Sequence, residues 1–198
     1  LVDLETEEGI VGRSYLEPYV ARAMRYLVPA LQDLGEALKG RRVAPLELFT
    51  LARKSLHFVG YDGLSAIAVS GLDMAAWDAL AQAAGLPLAA YLGGSIGPVP
   101  AYNSNGLWLT PLDTIGAEAE ALVREGGFTA LKLRLGRDRL ADDIACIAAV
   151  RDAVGADVKL MCDFSQGLAL GDALLRCHAL DDHGLYWFEE PIAYANLA

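Results

Sequence analysis

Two acids stand where apolar strands would end: Asp163 closes Lys159-Leu160-Met161-Cys162-Asp163, and Glu189 closes Leu185-Tyr186-Trp187-Phe188-Glu189. A carboxylate in such a place is costly to desolvate without a partner. Asp163 could cap its loop or the next helix, and Glu189 or its neighbour Glu190 could pair with a lysine or arginine. Taken together, one strand apart, the two acids suit a hard divalent cation such as Mg²⁺, which takes carboxylate oxygens and retains waters for a substrate. One strand earlier, Ala130-Leu131-Lys132-Leu133-Arg134 sets two cations two residues apart. The period-two pleat points both to the interior and turns Leu131 and Leu133 toward a helix layer. Lys132 alone would be an ordinary salt-bridged or snorkelling residue. Buried beside Arg134, its pKa is expected to fall toward that of a useful base. Arg134 cannot follow, with a pKa above about 12.

The elements that must position these residues form a repeat. From residue 99 the pattern predicts strand 99–103, helix 112–125, strand 129–134, helix 139–154, strand 158–163, helix 170–182 and strand 185–189. Arg134 and Asp163 are 29 residues apart and Asp163 and Glu189 are 26 apart, an even spacing that predicts parallel strands with helical crossovers. A doubly wound sheet and a barrel both fit. Chemistry-bearing residues at the C-terminal ends of successive strands favour the barrel, as does the lack of a G-x-G-x-x-G or G-x-x-x-x-G-K-[ST] phosphate loop. A closed barrel takes about 250 residues, so four strands are expected to be the first half of a longer barrel. Before residue 93 the chain reads as α+β: a hairpin of strands 1–5 and 10–15 turning at Gly9, then helices over 19–38, 45–57 and 64–84. Pro29 is expected to kink the first helix or end its first part, while Pro45 lies near the start of the second. The expected division is an α+β domain over 1–92, lacking a first strand or strands, and a partial barrel over 93–198.

Composition narrows the partners. The 198 residues are 54% hydrophobic, with mean hydropathy +0.30 and net charge −10. That is ample material for a core, and it offers no broad cationic face, so neither nucleic acid nor an anionic membrane is an expected partner. Residues 79–112 carry no charge, yet Pro87, Pro98, Pro100 and Gly93-Gly94 break any span of about 20 residues. Cys146, Cys162 and Cys177 show no C-x-x-C spacing and read as reduced thiols in apolar patterns, which favours the cytoplasm. His57, His178 and His183 read as structural. Asp142, Asp143 and Arg151 read as a solvated helix face or partners of the helix dipole, and Trp108 and Tyr19 as core or pocket-lining aromatics.

Lys132-Leu133-Arg134, Asp163-Phe164-Ser165-Gln166, Trp187-Phe188-Glu189-Glu190-Pro191 and the upstream Gly71-Leu72-Asp73-Met74-Ala75-Ala76-Trp77-Asp78-Ala79-Leu80 together resemble the enolase superfamily, and within it the mandelate racemase-like group. The resemblance runs from Gly9-Ile10-Val11-Gly12 to Pro191. It implies an N-terminal α+β capping domain, a modified (β/α)₈ TIM barrel and Mg²⁺ at the barrel mouth. It further implies that Asp163 and Glu189 are the first two of three acidic metal ligands, the third lying beyond Ala198. By the same resemblance Lys132 is the first lysine of a K-x-K pair and polarises the substrate carboxylate. Ser104 hydrogen-bonds that carboxylate, and Tyr19 faces the substrate pocket from the capping domain. Arg134 departs from the pattern, standing where many relatives carry a lysine base.

An α-proton beside a carboxylate is too weakly acidic for an ordinary side-chain base unless the doubly charged enolate is stabilised, and a metal with a lysine does that. Racemisation needs a base on each face, and deprotonating Arg134 costs several kcal/mol at neutral pH, at about 1.4 kcal/mol per pKa unit. A dehydratase needs one base. The expected activity is therefore dehydration of a sugar-acid-like 2-hydroxycarboxylate. Racemisation or epimerisation stands close behind, and a non-catalytic, metal-stabilised paralogue is the rival of another class. The expected partners are the small acid substrate and further copies of the chain in a homo-oligomer.

Overall fold

A computed structural model describes residues 1–196; the last two residues of the expected barrel segment lie outside it. The chain forms two compact units, Leu1–Pro98 and Val99–Ala198.

In the first unit, strands β1 (Val2–Glu5) and β2 (Val11–Ser14) pair antiparallel, and Gly9 takes the positive φ of 82° that their turn requires. A 3₁₀ turn over Ala21–Ala23 leads into α1 (Met24–Leu38), followed by α2 (Pro45–Ser55), α3 (Leu64–Ala83) and the single turn α4 (Leu88–Tyr91). The first helix starts five residues later than expected, and it runs through Pro29 instead of ending there. Its amphipathic face holds it: Leu27 and Leu34 are buried in a cluster with Ala52, Ala68 and Val69, and that packing outweighs one lost backbone bond. The α3 helix is long and apolar enough to cross a membrane by length and composition. Here its small residues Ala68, Ala75, Ala76 and Ala79 are buried against neighbouring elements of the unit.

The alanines of α3 let the hairpin approach closely. A Cβ added to Gly12 would lie 2.0 Å from the Ala75 carbonyl oxygen and 2.8 Å from the Ala79 nitrogen, backbone atoms that cannot swing away. Gly12→Ala is expected to destabilise the protein by about 1–3 kcal/mol. Chemical denaturation checks this, and an unchanged midpoint would contradict the close approach.

The second unit alternates helix and strand: α5 (Leu112–Gly126), β3 (Ala130–Arg134), α6 (Leu140–Val154), β4 (Lys159–Asp163), α7 (Leu170–Leu180) and β5 (Leu185–Glu189). The strands form one parallel sheet in the order β3-β4-β5. Leu131, Leu133, Leu160 and Cys162 point from it into a core with Ile115, Ala119, Cys146, Ile147 and Val150. The expected strand over 99–103 is reduced to a single bridge between Asn103 and Leu131. Pro98 and Pro100 have no N–H to give a ladder, so pairing begins at Asn103, whose N–H donates to Ala130 O and whose carbonyl accepts from Lys132 N, each at 3.0 Å. All three cysteines are free thiols, and burial raises the Cys146 pKa to about 11.

Candidate active site

Strand register builds the site. Arg134 pairs with Asp163, and Asp163 with Glu189, so the last residues of three strands stand in one row. Lys132, two residues back on β3, shares their face. A one-residue register shift between Leu160 and Cys162 sets Phe188 opposite Cys162 and Glu189 opposite Asp163. Without it, Phe188 would face Asp163.

The row is a compact charge cluster. Lys132 Nζ lies 2.7 Å from Glu189 Oε1 and 3.1 Å from Asp163 Oδ2, with the lysine side chain 8% exposed and the aspartate 7%. Arg134 Nε is 3.6 Å from the same Asp163 Oδ2, too far for a hydrogen bond, and this buried N–H has no acceptor among the described residues. The guanidinium is anchored from its other side. Its Nη1 donates to the Ser104 carbonyl at 3.2 Å, and its carbon sits 4.1 Å from the centroid of the Trp108 ring, a cation–π contact.

The loops after the strands finish the arrangement. Asp163 Oδ1 accepts from Ser165 N at 2.6 Å and from Ser165 Oγ at 3.2 Å, an Asx turn that fixes the carboxylate plane. Ser165 and Gln166 both adopt left-handed backbone, with φ of 48° and 61°, as does Glu190 at 45°. Gln166 N donates to Glu190 O at 2.7 Å, Leu168 N donates to Pro191 O at 3.1 Å, and Gln166 Nε2 donates to Glu190 Oε1 at 3.3 Å. The two acid-bearing loops are thereby zipped together. Trp187 Nε1 donates to Glu189 Oε2 at 3.4 Å.

The lysine's environment reverses one expectation. Burial pulls the Lys132 pKa down, but the hydrogen bonds and charges of Glu189 and Asp163 outweigh it, and the net shift is upward. The neighbouring acids, not Arg134, decide the sign, so Lys132 is held as an ammonium in this arrangement. For Asp163, burial raises the pKa, yet the Ser165 N–H and Lys132 outweigh it and the net shift is downward. Stability from a depressed carboxylate is present above its unfolded value near 3.9 and is lost as pH falls through the folded value; stability from a raised lysine is present below about 10.4 and is lost as pH rises through its folded value. The metal-free protein is accordingly expected to melt lower below about pH 4 and above about pH 10, with the acid limb flattened in Asp163→Asn. Calorimetry across pH tests this, and identical limbs in the variant would refute it.

Of the expected site residues, Lys132, Arg134, Asp163 and Glu189 come together. Ser104 joins them through its carbonyl, with Trp108 beneath Arg134. Tyr19 belongs to the other unit, where its side chain is 96% exposed and its φ is 56°. Asp163 does cap its loop, as its position allowed, and Ser165 is the residue it caps. Asp143 proves to be no part of a solvated face: it is fully buried and bonded to Arg176 Nη1 at 2.7 Å. Among the described residues no group of three or more His, Cys, Asp and Glu side chains suited to a metal is gathered. Two carboxylates on one face are nonetheless a donor set that Mg²⁺ accepts, since it is commonly held by one or two carboxylates and keeps several waters.

Residues 1–93 match the N-terminal domain model of mandelate racemase / muconate lactonizing enzyme, and residues 114–198 match the enolase C-terminal domain-like model. An enolase from the alpha proteobacterium bal199, crystallised with bound magnesium, is 57% identical with a TM-score of 0.92, covering 98% of this chain and 54% of that one. A Bradyrhizobium enolase complexed with magnesium and mandelic acid is 39% identical with a TM-score of 0.89, over 98% and 54%. The L-talarate/galactarate dehydratase of Salmonella typhimurium is 38% identical over 135 residues, 68% of this chain and 34% of the relative. The chain thus spans about half the length of these structures and about a third of that dehydratase.

Proposed function

Because the chain belongs to the mandelate racemase / muconate lactonizing enzyme family of the enolase superfamily, we propose that the protein is a Mg²⁺-dependent enzyme that removes the α-proton of a 2-hydroxycarboxylate, acting as a sugar-acid dehydratase. The observation that carries this reading is the register row itself: two carboxylates and an ammonium on one face at the C-terminal ends of adjacent strands. Residues 1–92 are assigned to the capping domain and residues 93–198 to the first half of the barrel.

Asp163 and Glu189 would hold the ion, which supplies fixed positive charge against the negative charge that develops on the substrate carboxylate. Lys132 would hydrogen-bond a substrate carboxylate oxygen as an ammonium. Ser104 and Tyr19 would bind substrate. The catalytic assignment of Arg134 is that of a fixed cation and not a base, since its guanidinium keeps its proton and is pinned to the Ser104 carbonyl and the Trp108 ring. One missing base is compatible with dehydration, where a single base removes the α-proton and the β-hydroxyl departs. The sugar-acid dehydratase among the relatives supports the same choice. The mandelic acid bound by the Bradyrhizobium relative favours a second reading as a racemase or epimerase. A cytoplasmic homo-oligomer completes the proposal.

The deciding experiment incubates the full-length protein with Mg²⁺ and a panel of acid sugars and aryl hydroxy acids in D₂O. A 2-keto product supports the dehydratase. Deuterium uptake without keto product supports the racemase, and neither outcome leaves a non-catalytic paralogue.

A further inference from the structure

Both carboxylates that would hold the ion are already engaged by a cation of the chain itself. The Lys132 ammonium bridges Glu189 Oε1 at 2.7 Å and Asp163 Oδ2 at 3.1 Å, while Asp163 Oδ1 is taken by Ser165 N–H and Oγ. We propose that Lys132 is a tethered, exchangeable counter-cation: a divalent ion coordinating Asp163 and Glu189 displaces its ammonium, which is thereby released to an anionic ligand only once the ion has bound. The inference rests on the metal reading given above and goes beyond it by making metal binding the event that frees the lysine.

Charge and anchoring point the same way. Mg²⁺ lies about 2.0–2.1 Å from its oxygen ligands, so an ammonium bridging the same two carboxylates would face two like charges at close range, beside an Asp163 that is mostly shielded from water and a Glu189 that is 31% exposed. That repulsion is strongest on the Asp163 side, where solvent screens it least. Of the two cations beside Asp163, Arg134 is the one that stays, because the Ser104 carbonyl and the Trp108 ring hold its guanidinium from the far side. Among the described residues the partners of the Lys132 ammonium are the two carboxylates, on a flexible four-carbon stem that can carry it away. The order of events follows: ion first, carboxylate ligand second, with the lysine withheld from anions until the ion has arrived.

Two measurements on the full-length protein test this. Mg²⁺ titration calorimetry is expected to show Lys132→Met binding the ion about tenfold more tightly than wild type, because the competitor is gone. Crystals of the unsubstituted protein grown without metal and then soaked in Mg²⁺ are expected to show Lys132 Nζ beyond about 3.5 Å from both carboxylate oxygens. This second measurement holds even if Lys132→Met fails to fold. A soaked crystal with the ion on Asp163 and Glu189 and the ammonium still bridging them overturns the exchange and leaves the metal site standing, as does a Lys132→Met affinity no tighter than wild type. An unsubstituted protein that binds no Mg²⁺ overturns the exchange together with the metal reading.

Discussion

In the full-length protein, Glu189→Gln is expected to abolish measurable Mg²⁺ binding and to lower α-proton exchange by about a thousandfold or more, a loss on the scale of removing preorganised charge from a reacting oxyanion. The substitution keeps the shape of the side chain and the acceptor for Trp187 Nε1, so the fold has little reason to change. What disappears is the negative charge opposite Asp163 in the register row and the strong acceptor 2.7 Å from Lys132 Nζ. Asp163→Asn should do the same while keeping the Ser165 turn, since an asparagine carbonyl accepts the Ser165 N–H as the carboxylate does. Glu190→Gln is the informative control. Glu190 follows Glu189 directly, but its backbone is left-handed and its carboxylate accepts from Gln166, so its loss should change exchange by no more than about tenfold, the low end of what a supporting residue around a metal site costs. Calorimetry with Mg²⁺ and deuterium uptake by NMR measure both quantities. A Glu189→Gln protein that binds the ion normally would remove Glu189 from the ligand set.

The contrast between Glu189 and Glu190 marks how far the sequence could be read. Alternation alone pointed Lys132 and Arg134 away from Leu131 and Leu133, and the core bears this out, since both leucines are fully buried among helix residues. The acids were legible because each closes an apolar run. The pairing that sets Glu189, and not Phe188, opposite Asp163 was not, because it depends on a register shift between β4 and β5 that no local pattern announces. The first strand was over-read for the opposite reason: its apolar spacing looked right, but the pattern weighs side chains, whereas Pro98 and Pro100 act through missing N–H groups. The direction of the Lys132 shift was read from its sequence neighbour Arg134, while its sign is set by acids that lie 31 and 57 positions away. Long-range pairing of that kind becomes visible only when the sheet is assembled.

Asp143 shows the same limit with a larger energetic consequence. On the sequence it is one of two acids in the first turn of a helix, and Asp142 does behave as such, pairing with Arg139 at the surface. Asp143 turns inward instead. Both its oxygens accept from Gly136 N at 3.1 Å, Oδ1 also accepts from Arg137 N at 3.1 Å, and Oδ2 meets Arg176 Nη1 of α7 at 2.7 Å. The same Arg176 Nη1 donates to the Arg137 carbonyl at 2.7 Å, so one buried ion pair clamps the loop that leaves β3 directly after Arg134. Replacing Asp143 by Ala leaves an arginine that is 7% exposed with only the half-buried Asp172, at 3.0 Å, as its carboxylate partner among the described residues, and uncaps two backbone donors. Breaking one side of a buried pair costs about 3–5 kcal/mol, far more than an exposed pair. Arg176→Ala should cost less, because Asp143 keeps the Gly136 and Arg137 N–H groups and the Arg137 guanidinium at 3.7 Å. Because each single variant loses the same buried contact, the double variant should be destabilised by clearly less than the sum of the two, and denaturant titration of all four proteins measures that coupling. Strict additivity would mean that the two side chains act independently and that the loop is held by its own backbone turns.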